Sequence, residues 1–99
     1  MPTLYRVLSE SNWQEAQKAG YVSRCGNDVK ADGVHLNLAE AVEYTAARYF
    51  IPAEAPLVLE VDYSSFEEHL EWHEPTAQEP WRKPLARIAN LPLSAVITT

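Results

Sequence analysis

The chain has 99 residues, a hydrophobic fraction of 46% and a formal net charge of −6. At this length we expect a single domain over residues 1–99 with one modest core. No apolar run approaches the roughly 18 residues of a membrane-spanning helix. The negative charge disfavours nucleic acid backbones and anionic membrane surfaces as partners, because both attract basic proteins.

Cys25 is the only cysteine, so an internal disulfide is excluded and no CxxC pair suggests a structural zinc. We interpret it as a free thiol on a loop in a reducing compartment. The amino terminus, MPTLYRVLSE, lacks the basic start and the long apolar stretch of a secretory signal. These observations predict a cytoplasmic protein.

The first predicted strand is TLYRVLS, which begins at residue 3. Leu4, Arg6 and Leu8 alternate along it, so an arginine is expected on an apolar strand face. A charge on such a face is costly unless it is paired. Arg6 is therefore expected either to pair with a carboxylate such as Glu60 or Asp62, or to line a cleft that receives an anion.

A short helix is predicted over about residues 12–19. Ser11 precedes Gln14 by three residues, which is the spacing of a capping box, and Gly20 suits the left-handed conformation that ends many helices. The following stretch, YVSRCGNDVKADG (residues 21–33), is rich in turn-forming residues and is predicted to be a loop.

A histidine stands where a short strand is predicted to change into a helix. The segment VHLN (residues 34–37) begins with a strand that carries His35. Asn37 is a typical N-cap, and Glu40 completes a second capping box. Apolar residues at three- and four-residue spacing predict the helix that follows, and Pro52 ends it.

The second half of the chain is predicted to contain mainly strands. PLVLEVD has apolar residues on both faces, as a central strand does. Three prolines without periodicity predict a loop in EPTAQEPWRKP. The other predictions are a helical turn over 64–68 and strands over 69–73, 86–89 and 95–98. Together with the two helices, these elements indicate a strand-rich α+β domain.

Five motifs in order resemble the domain-of-unknown-function family 952 (DUF952). They are LYRVLSESNWQEAQKAG, DGVHLNLAEAVEYTAARYF, LVLEVD, WHEP and LPLSAV. This bacterial family is similar in structure to the ADP-ribosyltransferase superfamily and, within it, to the RNA 2′-phosphotransferases. The resemblance implies an ADP-ribosyltransferase-like fold with a split, bent, mainly antiparallel sheet, two main helices and a nucleotide cleft that elsewhere holds NAD.

The resemblance also implies a set of site residues. Tyr5 and Arg6 stand where the phosphotransferases have a tyrosine and a nucleotide-binding histidine. His35 matches the histidine of their V-H-L-S motif, Asn37 replaces its serine, and Arg48 falls near an arginine after the equivalent helix. These five residues are expected to bind a nucleotide-like small molecule such as NAD or ADP-ribose, with Arg6 and His35 as the catalytic candidates.

Two regions depart from the phosphotransferase pattern. Ala31 stands where those enzymes have an arginine before V-H-L-S, and Lys30 is only its neighbour. Their late P-H-x-Y-G segment is replaced by Pro84, Ala86, Ile88 and Ala89. The lost arginine, histidine and tyrosine favour a module that keeps the fold without the chemistry.

The candidate residues also have ordinary structural interpretations. His35 is either a donor or general base at a cleft or a strand histidine bonded to backbone. Arg48 follows Tyr44 by four residues on one helix, where an exposed arginine is usually solvated. Trp81 lies in the proline-rich loop and is the best candidate for an aromatic lid.

A metal site is not expected. His69, Glu71 and His73 share a face if HLEWH is a strand, but the motif is not HExxH and lacks a further well-spaced ligand. We interpret these residues as a solvated polar strand face.

Two functions remain open at this stage. The first is a small ADP-ribosyltransferase-like domain that binds a nucleotide or phosphorylated ligand; as a transferase it would use arginines to stabilise charge and His35 to orient a hydroxyl. The second is a non-catalytic binding or protein-interaction module. An RNA-modifying enzyme is disfavoured by the acidic balance. The sequence does not indicate an oligomeric state.

Overall fold

The computed structural model of the chain describes residues 3–98. Over this range the chain forms a mixed α and β structure with short elements. In order they are β1 (Thr3–Leu8), α1 (Glu10–Ala19), β2 (Tyr21–Val22), α2 (Gly26–Ala31), β3 (Val34–His35), α3 (Val42–Tyr49), β4 (Leu57–Asp62), β5 (Leu70–His73), β6 (Lys83–Ala86), β7 (Leu91–Pro92) and β8 (Val96–Thr98). Short 3-10 turns cover Ala39–Ala41, Pro52–Glu54, Ser64–His69 and Leu93–Ala95.

Within residues 3–98 the strands form three antiparallel sheets, with the orders β1-β4-β8, β2-β7 and β3-β6-β5. The predicted α+β class with antiparallel pairing is confirmed, and β4 is a central strand as its sequence predicted. Tyr5 and Asn37 exchange two backbone hydrogen bonds of 2.8 and 2.7 Å, which join β1 to the chain leaving β3. This bridge brings the first sheet against the third.

Arg6 lies on the buried face of β1, as the alternation with Leu4 and Leu8 predicted. Its predicted partners are wrong. In the antiparallel register Tyr5 is opposite Glu60 and Thr3 is opposite Asp62, whereas Arg6 is opposite Leu59. Since opposite residues share a face, both carboxylates project from the other side of the sheet, and the partner is Asp28 instead.

The helix α1 begins earlier than predicted. Its N-cap is Ser9, whose hydroxyl accepts a hydrogen bond from the Asn12 amide at 3.2 Å, so the prediction of Ser11 as the cap is wrong. Gly20 ends the helix in the left-handed conformation with φ 88°, as predicted.

The predicted loop over 21–33 is wrong in two places. Residues Tyr21–Val22 form a strand with β7, and Gly26–Ala31 form the short helix α2. Six residues are too few to show helical periodicity, and the turn-forming residues in them obscured the helix.

Asn37 is not a helix cap. Its backbone is used by the bridge to Tyr5, and its side-chain oxygen accepts a hydrogen bond from the Thr45 hydroxyl at 2.8 Å. Leu38 precedes the 3-10 turn Ala39–Ala41, which continues into α3. The predicted capping box with Glu40 is therefore wrong, because the chain stays extended one residue longer than expected.

The strand predicted at 86–89 is displaced. The observed β6 runs over Lys83–Ala86 and contains Pro84, which pairs with Trp72 and accepts a hydrogen bond from Leu36 through its carbonyl. A proline near the start of a strand is tolerated, so its presence did not mark a loop. The strands predicted near 69–73 and 95–98 are confirmed as β5 and β8.

Among residues 3–98, one core cluster joins the three sheets. It contains the least exposed side chains of β1, β3, β4, β6 and β7, including Leu4, Val34, Leu59, Val61, Ala86 and Leu91. Among residues 3–98, no helix combines the length and the apolar character needed to cross a bilayer.

Candidate functional site

A buried carboxylate organises the junction between β1, α2 and β3. Asp28 is fully buried. It accepts four hydrogen bonds, from Arg6 Nη1 (3.2 Å), Arg6 Nη2 (2.7 Å), the Cys25 amide (2.9 Å) and the His35 amide (2.9 Å), and its Oδ1 also lies 2.7 Å from His35 Nδ1. Two oxygens therefore satisfy donors from three separate segments of the chain.

Local backbone geometry brings Asp28 next to His35. Asp32 ends α2 in the left-handed conformation, with φ 55°. Gly33 then passes so close to β6 that a β-carbon there would lie 2.8 Å from the carbonyl oxygen of Ala86. Only glycine allows this approach without displacement. The tight turn returns the chain into β3, where the His35 backbone and ring both reach the carboxylate.

The guanidinium of Arg6 forms its hydrogen bonds with other residues of the protein. Its side chain is buried, both terminal nitrogens bond Asp28, and Nη1 also donates to the His35 carbonyl at 2.8 Å. Its Nε is buried without a partner among residues 3–98. Since its charge is balanced by Asp28, Arg6 supports the site more than it offers a free cation to a ligand.

The charge state of Asp28 follows from its contacts. Burial alone would raise its pKa, but the hydrogen bonds from His35 and Arg6 and the positive charge of Arg6 outweigh it. The pKa of Asp28 is consequently held well below its ordinary value of 3.8. The group is a carboxylate at neutral pH and can only accept hydrogen bonds.

His35 connects this buried pair to a cavity. Its side chain is 47% exposed, although Nδ1 is engaged with Asp28. The imidazole lines a cavity of about 510 Å³, and its other nitrogen, Nε2, has no protein partner within residues 3–98. A histidine held by a carboxylate on one nitrogen with the other open to a cavity is a recurring arrangement in binding and catalytic sites.

The cavity wall is made by several elements. Asn37 and Thr45, which bond each other, line it beside His35. Residues of α2 and the segment before it also line it: Cys25, Asn27, Lys30 and Ala31. The volume falls within the range of small-molecule pockets.

Aromatic and charged side chains occupy the remaining wall. Tyr49 and Phe50 contribute from the end of α3, and Trp81 contributes from the loop before β6. Trp81 is held by an edge-to-face contact with Tyr44, with ring centroids 5.2 Å apart. Lys83 also lines the cavity, with its ammonium 3.4 Å from a Glu79 carboxylate.

The structure brings together three of the five residues predicted for the site. Arg6, His35 and Asn37 line the cavity, whereas Tyr5 and Arg48 do not. Tyr5 neighbours Arg6 on a strand and so projects from the opposite face. Arg48 is exposed and lies over the rings of Tyr44 and Tyr49, 6.0 and 5.5 Å from their centroids.

Asp28 is the residue that the sequence did not indicate. It sits in a stretch of turn-forming residues, and aspartate is rarely fully buried. Its spacing from Cys25 matches the acidic third position of a capping box, and this was the available signal: the Cys25 amide donates to Asp28 Oδ2. Lys30 lies two residues further along α2, and the sequence marks it only as a neighbour of Ala31.

The polar face of β5 holds an ion pair. Glu71 receives two 3.0 Å hydrogen bonds from Arg87, and His73 Nε2 lies 3.3 Å from the same carboxylate. Within residues 3–98, no cluster of three or more histidine, cysteine or acidic side chains is arranged to hold a metal ion.

A family model described as "Protein of unknown function (DUF952)" matches residues 7–99. The chain belongs to the DUF952 family. The matched range includes Asp28, His35 and the aromatic wall of the cavity, and it begins one residue after Arg6. The DUF952 resemblance predicted from the ordered motifs is thus confirmed.

The DUF952 chain is also similar to a solved structure, the X-ray crystal structure of protein CC0527 from Caulobacter crescentus. The two are 26% identical, the similarity covers 95% of this chain and 80% of that one, and the TM-score is 0.80. A double mutant of the same protein gives a TM-score of 0.79 at the same identity and coverage. No curated protein matches the chain.

Proposed function

We propose that this DUF952 protein binds a small phosphorylated ligand of nucleotide type in the cavity beside His35. The observation that carries the proposal is the composition of one cavity of about 510 Å³. It combines an open imidazole nitrogen, aromatic side chains and an exposed lysine, which are the groups that a nucleotide's hydroxyls, base and phosphate require.

Each of these groups has a corresponding role. Trp81, Tyr49 and Phe50 supply aromatic surface on which a base can stack. Lys30 is exposed, lines the cavity and has no carboxylate partner among residues 3–98, so its ammonium is free to meet a phosphate. His35 supplies a directional hydrogen bond.

NAD and ADP-ribose are the specific ligands we propose to test first. The motif order that resembles the ADP-ribosyltransferase superfamily supports this choice, and the ADP-ribosyltransferase-like fold is part of the same proposal. In a catalytic form, His35 would orient a hydroxyl of the substrate.

One observation favours a second candidate, a binding or protein-interaction module without catalysis. The terminal nitrogens of Arg6 are occupied by Asp28 and by the His35 carbonyl, so this guanidinium is not a free electrostatic clamp. Ala31 also stands where the phosphotransferases have an arginine. Charge stabilisation in a transition state would then fall to the lysines of the cavity wall, Lys30 and Lys83.

Calorimetric titration tests the proposal and separates the two candidates. We would titrate NAD, ADP-ribose and a 2′-phosphorylated dinucleotide, with adenosine and inorganic phosphate as partial ligands. At least one nucleotide should bind saturably, and Lys30→Ala should weaken its binding by roughly tenfold or more, because a hydrogen bond to a charged group contributes about 1.5–3 kcal/mol. Adenosine binding should not change in this variant.

Lys18→Ala is the matched control. Lys18 is an exposed lysine in the last turn of α1, outside the cavity wall, and its loss changes the net charge equally. Equal weakening by both variants would contradict the location of the phosphate. No binding of any of the three nucleotides by the folded protein would leave the interaction module.

A further inference from the structure

We propose that Arg6 and Asp28 are positioning residues that hold the neutral imidazole of His35 with its proton on Nδ1, so that Nε2 offers a lone pair to the cavity. The ligand group at this point is then a hydrogen-bond donor, such as a sugar hydroxyl, and not a bare phosphate oxygen. The part that concerns the ligand rests on the function proposed above.

The tautomer follows from the partners of Asp28. Its Oδ1 lies 2.7 Å from His35 Nδ1 and also accepts from the His35 amide and from Arg6 Nη1. A carboxylate oxygen with these neighbours has no proton to donate, so the hydrogen between Oδ1 and Nδ1 belongs to the ring. In the neutral imidazole the second nitrogen is therefore an acceptor.

Arg6 fixes both members of this contact. It bonds both oxygens of Asp28, which sets the plane of the carboxylate, and it bonds the His35 carbonyl, which sets the strand carrying the ring. The guanidinium also balances the buried carboxylate. The imidazole is thus not needed as a counter-ion and remains available to the cavity.

Because His35 Nε2 is an acceptor, different parts of the cavity suit different groups of the ligand. A phosphate oxygen opposite Nε2 would bring two acceptors together, whereas a hydroxyl would complete a hydrogen bond. Phosphate is expected instead at Lys30, and the donor group at His35. A site built to accept from a hydroxyl rejects an analogue that lacks it, because its own polar group is then left unpaired.

The first experiment is nitrogen-15 NMR of the His35 ring in the ligand-free protein at about pH 8.5, above the usual histidine pKa of about 6.5. We expect Nδ1 to be protonated and Nε2 to be unprotonated. A ring with its proton on Nε2, or one protonated on both nitrogens, would overturn the proposal. In Asp28→Asn, if the variant folds, we expect both neutral tautomers to be populated.

The second experiment compares adenosine monophosphate with its 2′-deoxy, 3′-deoxy and 2′,3′-dideoxy analogues. Loss of the hydroxyl that meets Nε2 should weaken binding roughly tenfold or more. His35→Gln keeps a polar atom near the position of Nε2 and should retain part of this discrimination. His35→Asn keeps only the contact with Asp28, so it should no longer discriminate between the analogues.

The two experiments can contradict the proposed function and the further inference independently. If no nucleotide binds, the proposed function fails while the tautomer is still decided by NMR. If all the analogues bind equally to a protein with the expected tautomer, the assignment of a hydroxyl donor is wrong, although nucleotide binding stands.

Discussion

Asp28 concentrates several interactions in one side chain. Its two oxygens accept from Arg6, from the Cys25 amide and from the amide and ring of His35, and no part of it reaches solvent. Hydrogen bonds that involve a charged partner are roughly twice as strong as neutral ones. Removing the charge leaves the Arg6 guanidinium buried without compensation, which is the costly way to break such a pair.

The first prediction concerns Asp28→Asn. At neutral pH the variant should lose about 3–5 kcal/mol of unfolding free energy, because Arg6 keeps its buried charge. The pKa of Asp28 is lowered in the folded state, so its contribution is complete above about pH 4 and declines as the pH falls below that. The difference in unfolding free energy between the wild type and the variant should therefore become smaller at acidic pH. Urea unfolding between about pH 2 and pH 7 measures it.

Asp32→Asn is the matched control for this prediction. Asp32 pairs with Arg24 at 2.9 Å, but its side chain is 81% exposed, and asparagine tolerates its left-handed conformation. Little loss of stability is expected at neutral pH. A constant gap between wild type and Asp28→Asn down to pH 2 would contradict the lowered pKa.

The sequence indicated that Arg6 needs a charged partner, but it did not identify that partner as Asp28. Alternation with Leu4 and Leu8 is a local signal, and it correctly placed the guanidinium on the buried face. Asp28 is 22 residues away and reaches Arg6 only through the folding of α2 against β1. No periodicity encodes such a contact.

At the scale of elements, the segment from α2 to β3 determines the site. The helix places Asp28 and Lys30, and the turn at Asp32 and Gly33 returns the chain to His35. The turn is closed by a hydrogen bond of 3.1 Å from the Gly33 amide to the Asp28 carbonyl. A change in the turn should therefore displace both members of the contact between Asp28 and His35.

The second prediction concerns Gly33→Ala. A β-carbon at this position would meet the Ala86 carbonyl oxygen at 2.8 Å and a side-chain carbon of Leu85 at 2.9 Å. Both belong to the middle strand of a sheet, which cannot move freely. The substitution should cost about 1–3 kcal/mol of unfolding free energy, as overpacking does. Chemical denaturation provides the measurement.

Gly26→Ala serves as the control in the same segment. Nothing lies within 4 Å of a β-carbon added at Gly26, and its backbone is helical. Alanine there should change stability by less than about 1 kcal/mol, since it favours the helix. Similar losses in both variants would mean that the contact with β6 does not matter.

Elements with a clear period were predictable, and short ones were not. β1 and β4 are six residues each and alternate visibly, and α1 ends at a glycine in the left-handed conformation. The helix α2 has six residues and no apolar stripe. The start of α3 was misplaced because Asn37, a typical cap, is used by the bridge to Tyr5.

For the whole molecule, we propose that the chain is a single cooperative unit. The core cluster takes side chains from all three sheets, and the Tyr5–Asn37 bridge connects β1 to the chain leaving β3. The family match over residues 7–99 also includes strands of all three sheets.

The third prediction is one unfolding transition for the entire chain. Trp13 on α1 and Trp72 on β5 both pack against the core cluster, so tryptophan fluorescence reports on distant parts of the molecule. Its denaturation curve should coincide with that of far-ultraviolet circular dichroism. Two separated transitions, or different midpoints for the two probes, would contradict the proposal.

The residues at the base of the cavity contribute to the stability of the fold, whereas those on the rim contribute little. Arg6 at the base is buried and bonded to Asp28, which is also buried and does not itself line the cavity, whereas Lys30 and Tyr49 on the rim are largely exposed. Selection can therefore replace rim side chains one at a time at little thermodynamic cost, while any exchange at the base is tied to the survival of the folded chain. Proteins that share this scaffold are free to diverge in what they recognise long before they diverge in shape.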